Sequence, residues 1–94
     1  MTQILLSDLA VEQLREMPAP IGRVMLKALQ RLRTFPQSAP HVPLEEYAAY
    51  RQLNVRSYRA IYRFLEEENE VRIYCIVHSR RQLPFPEFLK HQIF

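Results

Sequence analysis

Apolar residues recur every three or four positions through the first third of the chain, and this spacing predicts two amphipathic helices. The first is expected over 8–17, between an N-cap at Ser7 and the helix-ending Pro18. The second is expected over 21–35 and ends at Pro36. Its apolar positions fall on one face: Ile21, Val24, Met25, Ala28, Leu29 and Leu32. Because few residues separate the two helices, they are expected to form an antiparallel hairpin.

Beyond the proline connector, residues 36–43, apolar residues recur at every second position, which predicts strands. Three strands are expected in a β-meander, with an acidic turn between the last two: 47–55, 57–65 and 71–78. A short edge strand is expected at 4–6, and one or two helical turns after Pro86. In the last strand, alternation sends one set of side chains to the core: Val71, Ile73, Cys75 and Val77. The other set is expected on the opposite, arginine-bearing face: Arg72, Tyr74, Ile76 and His78.

Composition limits the class of protein. A chain of 94 residues, 48% of them apolar, is expected to form one domain over 1–94. Its single cysteine, Cys75, excludes an internal disulfide, and no signal-peptide pattern opens the sequence, so a cytoplasmic location is expected. The apolar runs are too short to span a bilayer, so no membrane segment is expected. The single glycine, Gly22, excludes a glycine-rich phosphate loop, and no histidine has a second ligand at metal spacing, so neither cofactor nor metal is expected.

Arginine dominates the cationic residues: it supplies eleven of the thirteen, and the formal net charge is +3. Seven of the eleven lie in or beside the predicted sheet: Arg51, Arg56, Arg59, Arg63, Arg72, Arg80 and Arg81. Because guanidinium groups bind phosphate through two parallel hydrogen bonds, these positions are candidates for a phosphate-binding patch. His78 stands beside them as a candidate for proton transfer. The alternative is a solvated sheet face whose arginines cover tyrosine rings and pair with the acidic residues of 66–70.

Other side chains carry weaker signals. Cys75 falls among the alternate residues of its strand that are predicted to face the core, so it is expected to be buried and unreactive. Glu45 and Glu46 precede the first meander strand and are candidates for a general base. The alternative is that both are solvated loop carboxylates. Two tyrosines are expected beneath the helices: Tyr58 and Tyr62. Tyr74 and Tyr50 are expected on the arginine face, where exposed aromatic rings stack on unpaired bases.

Two segments carry a resemblance to a known family. The sequence RQLNVRSYRAIY over 51–62 is followed, after an acidic turn, by VRIYCIVHSRR over 71–81. Together they resemble the RelE/ParE toxin superfamily of type II toxin–antitoxin systems, whose pattern is close to R-x-L-x-V-x-x-Y-R-x-I-Y and a strand ending in H-x-R-R. The resemblance implies an α+β fold, with an N-terminal two-helix hairpin packed on a twisted antiparallel β-sheet of about four strands and a short C-terminal helix. It also implies a cognate antitoxin protein as partner.

The resemblance assigns roles to individual residues. Arg59 matches the sheet arginine that contacts the scissile phosphate, and Arg80 or Arg81 matches the basic residue after the last strand. His78 occupies a position where some RNA-cutting relatives place a proton-transfer group, so these four are the expected catalytic residues. Phe85 stands where RelE often has a tyrosine, and it cannot transfer a proton. The remaining expected RNA contacts are Arg51, Arg56, Arg63, Tyr74 and Phe85.

Activity divides within the superfamily. RelE-like members cleave messenger RNA on the ribosome, where basic side chains stabilise the phosphate while the 2′-hydroxyl of the RNA attacks. ParE-like members inhibit DNA gyrase and cleave nothing. We expect a RelE-like, ribosome-dependent endoribonuclease, because an arginine, histidine and aromatic face suits RNA chemistry. The alternatives are a ParE-like gyrase inhibitor and a decayed, non-toxic homologue that serves only as an antitoxin partner.

Overall fold

The helices occupy the N-terminal third of the chain in the computed structural model, which describes residues 1–94. The first elements are strand β1 (Gln3–Leu6), helix α1 (Asp8–Glu16) and helix α2 (Ala19–Gln30), which continues into a 3-10 turn (Arg31–Arg33). Ser7 caps α1 as predicted, because its hydroxyl oxygen accepts the Ala10 amide at 3.0 Å. Helix α2 begins two residues earlier than predicted, since proline is accommodated in the first helical turn, where no backbone donor is needed. The predicted end at residue 35 was wrong, because the α-helix ends at Gln30 and tightens into the 3-10 turn.

The sheet follows the connector and contains four strands in the order β1-β4-β3-β2. Its remaining strands are β2 (Arg51–Val55), β3 (Tyr58–Leu65) and β4 (Glu70–His78). The first meander strand is shorter than predicted because residues Glu45–Tyr47 form a 3-10 turn. A final helix, α3 (Pro86–Lys90), confirms the prediction made after Pro86.

The prediction of an antiparallel sheet was wrong for β1, which pairs with β4 in parallel, from Gln3 opposite Glu70 to Leu6 opposite Ile73. The sheet is therefore mixed. Its other two pairings, β2 with β3 and β3 with β4, are antiparallel as expected. The apolar alternation of a strand records which face it buries, and it carries no information about the direction in which the strand runs.

A β-bulge in β4 changes which side chains share a face. Ile61 on β3 lies opposite Cys75, but the next residue, Tyr62, lies opposite Ile73, so Tyr74 is an extra residue on β4. After the bulge the alternation is inverted. The expectation that Cys75 and Val77 share a face with Val71 and Ile73 was therefore wrong. Ile76 packs with Val71 and Ile73, whereas Cys75 and Val77 pack with Tyr74 on the opposite face.

Both faces of the sheet are covered by apolar side chains. The helix-side core joins α1 and α2 to the sheet and contains the fully buried Tyr62, as predicted. A second core lies on the opposite face and is formed by residues from the connector, the sheet and α3: Val42, Tyr47, Tyr50, Ile61, Tyr74, Cys75, Val77 and Leu89. This overturns the expectation of one apolar face and one arginine face. Burial raises the pKa of the Cys75 thiol to about 12, in agreement with a buried cysteine. None of the helices combines the length and the apolar composition needed to cross a membrane.

Candidate functional site

A cleft of about 520 Å³ opens where β4 ends, on the side of the second core. We call it the arginine cleft, and its lining includes Glu46, Arg59, Ser79, Arg80, Arg81 and Phe85. The register of β3 and β4 explains this grouping, because Arg59 lies opposite Val77, one residue before the end of β4, and the next arginines follow immediately. Three of the four expected catalytic residues therefore share one concave surface.

Arg59 forms the inner part of the arginine cleft. Its guanidinium donates a hydrogen bond to the Arg81 carbonyl, while its Nε–H is buried and has no partner. The two ion pairs of the chain join Arg72 to Glu70 and His91 to Glu87. No carboxylate therefore lies within ion-pair distance of Arg59. The alternative interpretation, in which the sheet arginines pair with residues 66–70, thus holds for Arg72, whose Nε lies 2.6 Å from a Glu70 oxygen. Arg59 therefore has no ion-pair partner.

Tyr47 and Glu46 bring the 3-10 turn before β2 into the cleft. The Tyr47 hydroxyl donates to the Pro84 carbonyl at 2.9 Å, which fixes the chain segment after β4. Burial raises the pKa of Tyr47, with the Glu46 charge acting in the same direction and the Arg59 charge against it. Tyr47 therefore stays protonated and serves as a donor. The sequence marked Glu46 only as a weak base candidate, and its presence in the same cleft as Arg59 depends on long-range folding.

His78 lies apart from Arg59, on the helix-facing side of the sheet. It pairs across the strands with Tyr58, and the two rings meet edge to face with centroids 5.4 Å apart. The expectation that His78 shares a face with the sheet arginines was wrong, because the extra residue Tyr74 inverts the alternation of β4. His78 lines a separate cleft of about 300 Å³, which we call the histidine cleft, together with Glu16 and Arg81. Arg81 lines both clefts.

Two of the other arginines expected to contact RNA are engaged within the protein. Arg51 holds the proline connector, since its Nη1 donates to the Gln37 carbonyl at 3.2 Å and to the Ala39 carbonyl at 2.7 Å. Arg63 lies over the Tyr50 ring, with its guanidinium carbon 5.9 Å from the ring centroid.

Tyr74 is only 4% exposed, so the expectation that its ring stands on an exposed arginine face was wrong. It packs edge to face against Tyr50 and Phe94, whose ring centroids lie 5.1 and 4.8 Å away. The same packing buries Tyr50, which was also expected to be exposed.

Two of the expected RNA contacts are free at the surface. Phe85 is 81% exposed at the rim of the arginine cleft. Arg56 is exposed in the turn between β2 and β3, where its φ of 56° places it in the left-handed region that favours glycine. No three His, Cys, Asp or Glu side chains converge in a manner that would hold a metal ion.

Comparisons with known proteins agree on one group. Residues 4–83 match the family model described as the ParE toxin of the type II toxin–antitoxin system parDE. No curated protein sequence matches the chain.

Among solved structures, the chain is similar to the RelBE2 toxin–antitoxin complex of Mycobacterium tuberculosis, with a TM-score of 0.74, 20% identity, and coverage of 82% of this chain and 96% of that one. It is also similar to the intact Escherichia coli RelBE complex, with a TM-score of 0.72, 15% identity, and coverage of 86% and 100%. The archaeal RelE–RelB complex of Pyrococcus horikoshii OT3 gives a TM-score of 0.65, 19% identity, and coverage of 86% and 98%. At these identities the likeness is one of fold.

Proposed function

This chain belongs to the ParE toxin family of type II toxin–antitoxin systems, within the RelE/ParE superfamily, and on that premise we propose that it cleaves messenger RNA on the ribosome through its arginine cleft. The observation that carries the proposal is the guanidinium of Arg59, which is partly buried and has no carboxylate within ion-pair distance. A cation in such a position loses hydration without gaining a counterion, and an anionic ligand would offset that cost.

A phosphodiester fits this position chemically. Guanidinium and phosphate are matched in geometry and charge, and the exposed Arg80 and Arg81 add positive charge at the mouth of the same cleft. The aromatic ring of Phe85 is exposed at the rim, where an unpaired base can stack on it. The cleft therefore offers a phosphate contact and a base contact side by side, as single-stranded RNA requires.

The reaction uses the RNA's own 2′-hydroxyl. Its oxygen forms a bond to phosphorus, the bond from phosphorus to the 5′ oxygen breaks, and the products are a 2′,3′-cyclic phosphate and a 5′-hydroxyl end. Glu46 is the carboxylate of the cleft and accepts the proton of the 2′-hydroxyl. Arg59 stabilises the negative charge that develops on the phosphoryl oxygens. The departing 5′ oxygen takes its proton from water, since Phe85 has none to give.

We further propose that a cognate antitoxin neutralises the toxin by covering this cleft. The similar solved structures include complexes of RelE toxins with their antitoxins. In this chain, large apolar side chains are exposed in and near the cleft: Leu44, Phe85 and Phe88. An antitoxin segment with apolar and acidic residues complements such a surface, because it buries these side chains and supplies a counterion to Arg59.

A cleavage assay on programmed ribosomes tests the activity. We expect Arg59→Ala to lower the cleavage rate at least about 100-fold, because an electrostatic contact to the transition state is lost. Arg63→Ala is the matched control, since Arg63 lies on the same strand and face but contacts Tyr50 outside the cleft. Glu46→Gln is expected to lower the rate while RNA binding is retained. Absence of cleavage by the unmodified chain, or equal cleavage by Arg59→Ala, contradicts the proposal.

Inhibition of DNA gyrase is the second candidate, favoured by the ParE description of the matching family model and by the phenylalanine at position 85. In that case the arginine cleft contacts an acidic surface of a protein. A supercoiling assay with purified gyrase separates the two candidates. Loss of supercoiling at toxin concentrations that leave ribosome-bound messenger RNA intact supports gyrase inhibition and excludes RNA cleavage.

A further inference from the structure

We propose that His78 is a positioning residue, which holds the backbone of the arginine cleft from the opposite face of the sheet and transfers no proton. The effect on activity rests on the proposed function, whereas the effect on the backbone does not. Proton transfer was the role expected for this histidine from the sequence. Its placement in the histidine cleft, away from Arg59, points to a different role.

The turn after β4 is fixed largely through His78. Its Nδ1 accepts the Arg80 amide at 3.1 Å, and its carbonyl accepts the Arg81 amide at 3.0 Å. The intervening Ser79 amide donates to the Ser57 carbonyl at 2.7 Å. Three consecutive amides are therefore satisfied, and one of the three bonds is made by the imidazole ring. Of these three amide bonds, it is the one that depends on the identity of a side chain.

The turn after β4 also holds the Arg59 side chain. The Arg81 carbonyl accepts a hydrogen bond from the Arg59 guanidinium, so the position of that carbonyl sets the direction of the guanidinium. A continuous series of contacts thus runs from the imidazole of His78, through the backbone of residues 80 and 81, to the proposed phosphate contact. Loss of the first hydrogen bond frees the turn and, with it, the carbonyl that orients Arg59.

The imidazole is itself held in one orientation. Its edge-to-face contact with Tyr58 has an interplanar angle of 72°, and Tyr58 packs against the helix-side core. Because Nδ1 accepts a hydrogen bond, the ring proton lies on Nε2. The ring and the Arg59 guanidinium stand on opposite faces of the sheet, since Tyr58 and Arg59 are successive residues of β3. A phosphate bound at Arg59 therefore lies on the opposite face of the sheet from the imidazole.

Two substitutions separate positioning from proton transfer. In His78→Asn, the amide oxygen is attached to Cγ, as Nδ1 is, and it accepts the amide two residues on, as asparagine does in an Asx turn. In His78→Gln, the amide lies one bond farther out and this acceptor is displaced. Neither side chain titrates. Proton transfer predicts that both variants lose activity to the same extent, whereas positioning predicts that His78→Asn retains activity and that His78→Gln has lower activity.

NMR on the folded chain measures whether the hydrogen bonds of this turn are intact. The measurement does not depend on any activity of the protein. In His78→Gln we expect hydrogen exchange of the Arg80 amide to be about tenfold faster, because the lost hydrogen bond shifts the equilibrium between the closed and the open turn by about tenfold. We also expect the Arg59 Nε–H resonance to shift, because the turn no longer orients the guanidinium. In His78→Asn both signals are expected to stay close to those of the unmodified chain. An unchanged Arg80 amide and Arg59 resonance in His78→Gln overturns the proposal, whatever the activity of the chain.

Activity supplies the second readout. For messenger RNA cleavage, kcat is expected to fall about tenfold in His78→Gln and to stay within about threefold in His78→Asn, with KM little changed in either. A His78→Asn variant as inactive as His78→Gln, with its fold intact by circular dichroism, overturns the proposal. If the unmodified chain cleaves no RNA, the proposed function fails, and the NMR comparison alone decides whether His78 holds the cleft.

Discussion

Replacement of Arg59 by methionine is expected to stabilise the fold while it abolishes activity. Methionine is unbranched and similar in reach, but it brings no charge and no donor to the inner wall of the arginine cleft. The native guanidinium leaves its buried Nε–H without a partner and has no ion pair. If this residue is kept for an anionic ligand, the free protein is less stable with it than without it.

The magnitude follows from three contributions. A buried donor without a partner costs about 1–3 kcal/mol, and Arg59→Met removes that cost. The substitution also loses the hydrogen bond to the Arg81 carbonyl, worth about 1 kcal/mol, and that carbonyl is exposed enough to bind water instead. Apolar packing of the new methionine with Tyr47, which lines the same cleft, stabilises the fold by about a few tenths of a kcal/mol. The net expectation is an increase of about 1 kcal/mol in the free energy of unfolding, or about 4–8 °C in Tm.

Thermal unfolding followed by circular dichroism at pH 7 measures the stability, and the ribosome assay measures the cleavage rate of the same preparation. Arg63→Met serves as the control, since it loses only the contact with the Tyr50 ring, worth about 0.5–1 kcal/mol, and is expected to lower Tm by about 2–8 °C. A Tm for Arg59→Met below that of the unmodified chain would refute the reasoning, because it would mean that the guanidinium is already satisfied within the fold.

Three further predictions concern stability. Tyr62→Phe removes the hydroxyl that donates to the Pro36 carbonyl at 2.9 Å, and urea unfolding is expected to show a loss of about 1–2 kcal/mol. Burial raises the pKa of Cys75 to about 12, so the folded chain keeps a proton that the unfolded chain releases above about pH 8.5. Stability should therefore fall as pH rises from about 9 to 12, by up to about 1.4 kcal/mol per pH unit from this group, and Cys75→Ala should flatten that slope in pH-dependent melts. Arg56→Asn relieves the left-handed backbone at φ 56° and is expected to add about 0.5 kcal/mol, whereas an unchanged or lower Tm would argue against strain at that turn.

The sequence was sufficient for the elements whose determinants are local. The helices follow from apolar spacing, from the Ser7 cap and, for α1, from the proline that follows it, and the short helix at Pro86–Lys90 follows from its leading proline. The end of α2 at Gln30, six residues before Pro36, did not follow from that proline. The hairpin closed by the acidic turn also brings Arg59 near Arg80 and Arg81, and the bulge changes the partner of Arg59 by only one residue, from Ile76 to Val77. These features depend on neighbours within a few residues or on one turn.

The errors share a different origin, which is contact between distant segments. The bulge at Tyr74 inverts the faces of the second half of β4, and no local signal distinguishes this tyrosine from its neighbours in an alternating strand. The second core exists because the connector and α3 cover a face that the sequence left open to solvent. His78 was therefore assigned to the wrong face, and Tyr74 was expected at a surface that other residues occupy.

The parallel pairing of β1 with β4 also governs when the fold becomes complete. During translation Gln3 emerges before its partner, Glu70, which lies 67 residues later in the sequence. At about 5–20 residues per second, the first strand waits roughly 3–13 s for the strand that it joins, and the central position of the sheet stays vacant until then. Pairings of such long sequence separation also form late in folding. A nascent chain of this topology lacks a central strand of its sheet until residues 70–78 have been made, so the arginine cleft, which opens where that strand ends, cannot form before then.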